Sequence, residues 1–170
     1  MIRQRFLKPA ILAVALAASL TGCQTMPSSP YSAAQVETLE RNGFRAQDGN
    51  YMLGLHNKVL FAFDSSNLHG NTETMLFDLG RSLAAVGIRS AGIEGHASSE
   101  GDEAYNRKLS EQRANSVRAA LVRGGLDSAA MRVRGMGSLD PVAPNDSEEG
   151  RLQNRRVVII VTPADTVALR

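Results

Sequence analysis

The chain has 170 residues, 43 % of them hydrophobic and 21 % charged, with 19 Lys and Arg against 17 Asp and Glu, no tryptophan and one cysteine. That length suits one compact domain with an appendage. The single cysteine excludes an internal disulfide, and with no Cys/His cluster and no Walker-type glycine loop the sequence implies no metal and no cofactor.

The positive charge is concentrated at the start. Residues 1–22 carry Arg3, Arg5 and Lys8, then an apolar run over 10–20, then Thr21-Gly22 before Cys23. This is the layout of a signal peptide with a lipobox, and its apolar segment is too short to span a bilayer as a helix. Cys23 is accordingly the expected lipidation site, where acyl chains would anchor the protein stably to a membrane. Gln24 stands where an Asp would signal inner-membrane retention in many bacteria, so the expected address is the periplasmic face of the outer membrane. Removing the three leader bases from the 19 leaves 16 against 17 acids, a net of about −1. The electrostatic case for nucleic acid goes with them.

Residues 24–30, QTMPSSP, read as a flexible leash. Ser32 is placed to cap a helix over 32–39 on which Ala33, Val36 and Leu39 share a face, ending near Asn42-Gly43. Phe44, Tyr51, Met52 and Leu53 flank a turn over 47–50. Val36, Leu39, Phe44 and Tyr51 form an apolar set that is either tucked onto the domain or offered to a partner. Further on, 58–63 (KVLFAF) reads as a strand, and 72–86 as a helix with Met75, Leu76, Leu79, Leu83 and Val86 at helical spacing. A strand over 88–96, a helix over 102–123 stopped by Gly124-Gly125, and strands over 131–137 and 155–162 complete a βαβαββ order. Such alternation predicts an α/β sandwich with helices packed on a small mixed sheet. Loops 64–71 and 138–150 would frame a site. The expected layout is a leader over 1–22, a lipidated tether and partner-binding segment over 23–54, the main domain over 55–163 and a tail over 164–170.

Within the helix over 102–123, at about 100° per residue, Leu109, Val117 and Ala120 lie within about 80° of one another, and Arg113 and Asn106 project into the same arc. Arg113 either lays its methylenes along the core and lifts its head to water, or holds its planar fork in a pocket for a carboxylate.

Gly95-His96, Gly101, Asn106, Leu109-Ser110, Arg113-Ala114 and Val117 resemble, at matching spacing, the signature of the OmpA-like peptidoglycan-binding domains found in OmpA, in Pal and in flagellar motor stators. Gly135-Met136-Gly137, Pro141-Val142-Ala143, Asn145, Gly150-Arg151 and Asn154-Arg155-Arg156-Val157 extend the resemblance over about residues 57–162. It implies a noncovalent hold on the diaminopimelate end of a peptidoglycan stem peptide, with Arg113 facing the carboxylate and residue 98 the ammonium. The family has Thr-Asp where this chain has Ala97-Ser98, so half of that charge clamp is missing. A charge-assisted hydrogen bond contributes roughly 1.5 to 3 kcal/mol and a neutral one roughly 0.5 to 1.5, so Ser98 would weaken the hold by on the order of tenfold unless Glu100 or Asp102 compensates. Asp64 falls where the family lines the pocket with a polar residue, and by its own context caps the Ser65-Ser66 turn. Ser98, Asn106, Arg113, Asp64, Asn154 and Arg155 are thus the candidate wall-binding residues; Arg155 and Arg156 also read as a solvated pair opening a strand. In the family the histidine equivalent to His96 supports the loop.

Residues 31–63, with the GDEAYNRKLSEQRA and GRLQNRRVVIIV stretches, resemble more narrowly the outer-membrane lipoproteins of tripartite systems that control a membrane diguanylate cyclase. That resemblance implies capture of a periplasmic repressor, and so a place in c-di-GMP signalling, by the segment between lipid and domain. A purely structural wall anchor is the alternative. A hydrolase built on Ser98, His96 and Asp64 is the remaining class; Ser98 lacks the Gly-x-Ser-x-Gly elbow, and the expectation is a protein without enzymatic activity.

Overall fold

The computed structural model describes residues 29–62 and 65–167, so the leader, Cys23 and Asp64 lie outside the described residues. Ser32 caps α1 (Ala33–Arg41) in a reciprocal capping box with Gln35. Gln35 also donates from Nε2 to the Val86 carbonyl at 3.1 Å, which docks α1 on the end of a later helix. A hairpin follows, β1 (Arg45–Gln47) and β2 (Asn50–His56). Asp48 and Gly49 turn it at φ 49° and 77°, the positive values a two-residue hairpin loop requires. Next come α2 (Asn57–Leu60), α3 (Gly70–Ala85), β3 (Gly92–His96), α4 (Glu103–Arg123), β4 (Arg132–Gly137), α5 (Glu148–Asn154) and β5 (Arg156–Val161).

The sheet runs β1-β2-β5-β3-β4, parallel between β3 and β4 and antiparallel elsewhere. This is the expected mixed sheet, with one correction. The first long strand is β2, paired with β5 from Tyr51↔Val161 to His56↔Arg156, and the described part of the expected 58–63 strand, 58–62, is not one: 57–60 forms α2 and Phe61 makes only an isolated bridge to Leu68. The apolar run misleads because it does not alternate. Leu60 and Phe61 are buried while Lys58 and Val59 are exposed, whereas Tyr51, Leu53 and Leu55 recur at the period of two that a half-buried strand needs. Because β2 is interior to the sheet, the expected boundary between 54 and 55 cuts a strand.

The same pairing corrects the partner segment. Leu39, Phe44 and Tyr51 are 0, 3 and 7 % exposed within the core, and Val36 packs against it half-buried. Tyr31 closes this layer, meeting Tyr51 edge to face at 5.1 Å and donating its hydroxyl to the Val161 carbonyl at 2.9 Å. Burial, with Asp165 nearby, pushes the Tyr31 hydroxyl up to about 12.

Helix α4 lies on β3 and β4 and beside α3. It rests directly on the strand at Gly95, where a Cβ would stand 2.0 Å from the Ser110 carbonyl oxygen. Ser110 Oγ accepts from the Gly137 amide at 3.1 Å, fixing the helix against the end of β4. Leu76, Leu83, Ile93, Val117, Leu121, Val157 and Ile159 fill the space between helices and sheet.

The described residues of the expected tail, 164–167, are also part of the fold. After β5 a 3-10 turn, Pro163–Asp165, buries the Asp165 carboxylate to 1 % exposure. Arg132 donates to it through both terminal nitrogens at 2.8 and 2.9 Å, and Ser90 and Thr162 add hydroxyl donors. Burial alone would raise this carboxyl, yet the hydrogen bonds outweigh it and hold it at about 2.

Candidate functional site

Beside the β3–α4 loop lies a groove of about 940 Å³, within the size range of ligand sites. Its walls come from α2 and the residues after it, the loop over 97–101, the first half of α4, and α5. Close contact at Gly95 sets α4 at the depth that brings Asn106, Leu109 and Arg113, spaced three and four residues apart, onto the groove side.

Arg113 is 7 % exposed. Its Nε donates to the Ser65 carbonyl at 2.9 Å, and its guanidinium carbon stands 5.5 Å from the centre of the Phe61 ring. The head therefore does not rise to bulk water: the side chain is nearly buried and lines the groove. Asn106, nearly buried, donates from Nδ2 to the Glu100 carbonyl at 2.7 Å and the Ser98 carbonyl at 3.4 Å. It shapes the 98–100 loop as well as lining the groove. Asp102 caps α4, accepting from the Tyr105 amide at 2.8 Å, and does not line the groove.

Ser98 is buried, and its hydroxyl accepts from Arg155 Nη1 at 3.4 Å. Arg155 reaches Glu100 at 3.4 Å and also pairs with Glu148; Arg151 closes the square, 3.2 Å from Glu100 and 3.0 Å from Glu148. Hydrogen bonds from Arg155 and Arg151 pull the Glu148 carboxyl below the ordinary carboxylate range. The glutamates of these pairs are exposed and screened by solvent while the arginines are half-buried; the effect of the pairs is to set the charge at this end of the groove.

Asn154 is not on the groove, which corrects its expected role. It is 0 % exposed, its Oδ1 accepts from the Val142 and Ala143 amides at 2.8 and 3.0 Å, and its Nδ2 donates to the Ala143 carbonyl and to Asn145. It folds the 138–150 loop, and Asn145 in turn accepts from the Ser99 amide at 3.1 Å, joining that loop to the groove rim. His96 is a structural residue: 1 % exposed, it places Nδ1 3.4 Å from the Leu139 carbonyl, and burial, helped by Arg156, lowers its pKa. Asp64 lies outside the described residues.

Sequence reasoning missed Phe61, Tyr105, Leu152 and Glu148, all of which line the groove. Tyr105 and Leu152 are half-exposed apolar side chains on helices, a signal that one sequence contains but cannot assign to a common place. Among the described residues no group of His, Cys, Asp and Glu is arranged to hold a metal ion, and no helix is long and apolar enough to cross a membrane.

A buried arginine and a glycine-edged loop thus stand at the end of a β-α-β unit within this mixed sheet. Residues 60–155 match the OmpA family, and the chain belongs to it. It is 41 % identical over 169 residues to the outer-membrane lipoprotein YfiB of Pseudomonas aeruginosa, covering 97 % of this chain and 100 % of that one. Among solved structures it resembles a MotB-like protein of Desulfovibrio vulgaris, with 25 % identity, a TM-score of 0.66 and coverage of 76 % of this chain and 91 % of that one. It also resembles the peptidoglycan-associated lipoprotein of Burkholderia pseudomallei, with 29 % identity, a TM-score of 0.54 and coverage of 63 % and 87 %.

Proposed function

We propose that this chain is an outer-membrane lipoprotein, anchored through Cys23, whose groove holds a peptidoglycan stem peptide noncovalently. The observation that carries this reading is Arg113, a nearly buried cation kept on the groove by the Ser65 carbonyl and the Phe61 ring. A guanidinium set at the edge of a ligand-sized cavity can donate a charge-assisted hydrogen bond to a ligand carboxylate, and the stem peptide carries carboxylates. Ser98, Asn106 and Arg155 shape the remainder of the site, and no reaction is part of this reading. The relatives' printed names, an outer-membrane lipoprotein and a peptidoglycan-associated lipoprotein, support the same address and ligand. Titrating the full-length protein in detergent micelles with a diaminopimelate-containing muropeptide tests it. Arg113→Ala is expected to weaken binding at least tenfold, as loss of a charge-assisted hydrogen bond does, with the melting temperature measured alongside; equal affinity in the two forms overturns the reading.

The finer part of the proposal is that the same protein captures a YfiR-like periplasmic repressor of a membrane diguanylate cyclase, coupling wall attachment to c-di-GMP signalling. The 97 % coverage by the YfiB relative, which includes the segment before the matched family region, supports it. With Leu39, Phe44 and Tyr51 in the core, the surface available to a partner is the outer side of α1 and β1, where Glu37, Glu40, Arg41 and Arg45 are exposed. Val36 is the one member of the apolar set at the edge of that surface. Val36→Asp is expected to reduce co-purification with the YfiR-like protein while the domain still unfolds cooperatively; undiminished capture would remove this segment from the interface.

A further inference from the structure

The groove's charge is unevenly distributed. Among the described residues two carboxylates line it, Glu100 and Glu148, and each is already paired with both Arg151 and Arg155. Lys58 and Arg113 add two further cations on the groove. At the loop itself the Ser98 hydroxyl accepts from the Arg155 guanidinium at 3.4 Å, and both residues line the groove. An ammonium arriving there meets a neutral acceptor with a like charge beside it, and among the described residues the carboxylates that line the groove, Glu100 and Glu148, are both engaged by arginines. A neutral N–H meets the same hydroxyl acceptor without the repulsion.

The side-chain amine of diaminopimelate exists in a cell wall in two states: free and charged, or acylated in a peptide cross-link and neutral. We propose that this groove selects stem peptide whose diaminopimelate amine is acylated over stem peptide in which it is a free ammonium. The inference rests on the stem-peptide reading and names the form of that ligand. Ser98 and Arg155 are its specificity determinants, Ser98 by accepting a neutral N–H and Arg155 by opposing a positive charge. The cavity, about 940 Å³, has room for a short peptide bearing an acyl arm.

Two synthetic stem tripeptides that differ only in acetylation of the diaminopimelate side-chain amine make the test, titrated into the full-length protein in detergent micelles. The wild type is expected to bind the acetylated peptide at least threefold more tightly. Ser98→Asp combined with Arg155→Gln, which leaves the new carboxylate without the arginine beside it, is expected to reverse the order to about tenfold in favour of the free amine, the difference between a neutral and a charge-assisted hydrogen bond. Arg155→Gln, which introduces no buried charge, should move the ratio in the same direction by a smaller factor. A wild-type ratio below threefold, or a ratio unmoved by both substitutions, overturns the inference while leaving the stem-peptide reading in place. Binding of neither peptide by the wild type overturns that reading and the inference together.

Discussion

An aspartate at Leu39 is expected to abolish the folded domain. Leu39 is fully buried beneath α1 among residues that also pack β2 and the helices, and an ionised carboxylate there has no partner to offset its lost hydration. That cost is several kcal/mol, on the scale of the about 5 to 15 kcal/mol by which a domain is stable. Urea unfolding followed by circular dichroism should show no cooperative transition for Leu39→Asp, and for Leu39→Ala an unfolding free energy lower by about 2 to 5 kcal/mol. A wild-type midpoint in the aspartate variant would mean that α1 is an appendage and not a layer of the fold. The result bears on function, because a loss of repressor capture in such a variant would report unfolding and nothing about a docking face.

Asp165→Asn is expected to lower stability by about 3 kcal/mol at neutral pH, since it removes the charge that Arg132, Ser90 and Thr162 converge on and leaves the Arg132 guanidinium and the buried Ser90 hydroxyl facing a neutral amide. The wild type carries a matching pH signature. The folded carboxyl at about 2 lies below its ordinary value of 3.8, so its contribution is fully present above about pH 4 and is lost as pH falls toward 2. The difference corresponds to about 2 kcal/mol. Denaturant unfolding at several pH values between 2 and 7 should therefore show a steeper acid loss in the wild type than in Asp165→Asn; parallel curves would show that Asp165 does not carry the effect. The consequence reaches the whole sheet, because this carboxylate clamps β4 and the segment preceding β3 to the chain after β5.

Much of the architecture was legible in the sequence where a local rule applies. The Ser32 cap, the turn at 47–50, the amphipathic α3, the long α4 with its Asp102 start, and β3, β4 and β5 all obey patterns of three to five residues, and the structure places them within a few positions of expectation. The groove was partly legible too. Helical spacing put Asn106 and Arg113 on one face, and both line it.

The failures share a cause. KVLFAF looked like a strand because hydrophobicity without alternation does not distinguish a core-plugging turn from a buried strand. The boundary at 54 and the tail at 164 were misplaced because the partners of Tyr51 and Asp165 lie about a hundred and about thirty residues away, in β5 and on Arg132. Asn154 was assigned to the ligand because its amide chemistry suits one, and only the folded loop reveals that all its hydrogen bonds are spent at home.

What the sequence determined by itself is what depends on neighbours along the chain: the caps, the periods, the arginine on an apolar helix face and the absent acid at position 98. Which side chains share the groove, that Ser98 faces Arg155, and that both groove glutamates are held by arginines were decided by the tertiary structure. Those contacts join residues up to 57 positions apart in the chain, and electrostatic pairing depends on distance in space, which periodicity does not encode.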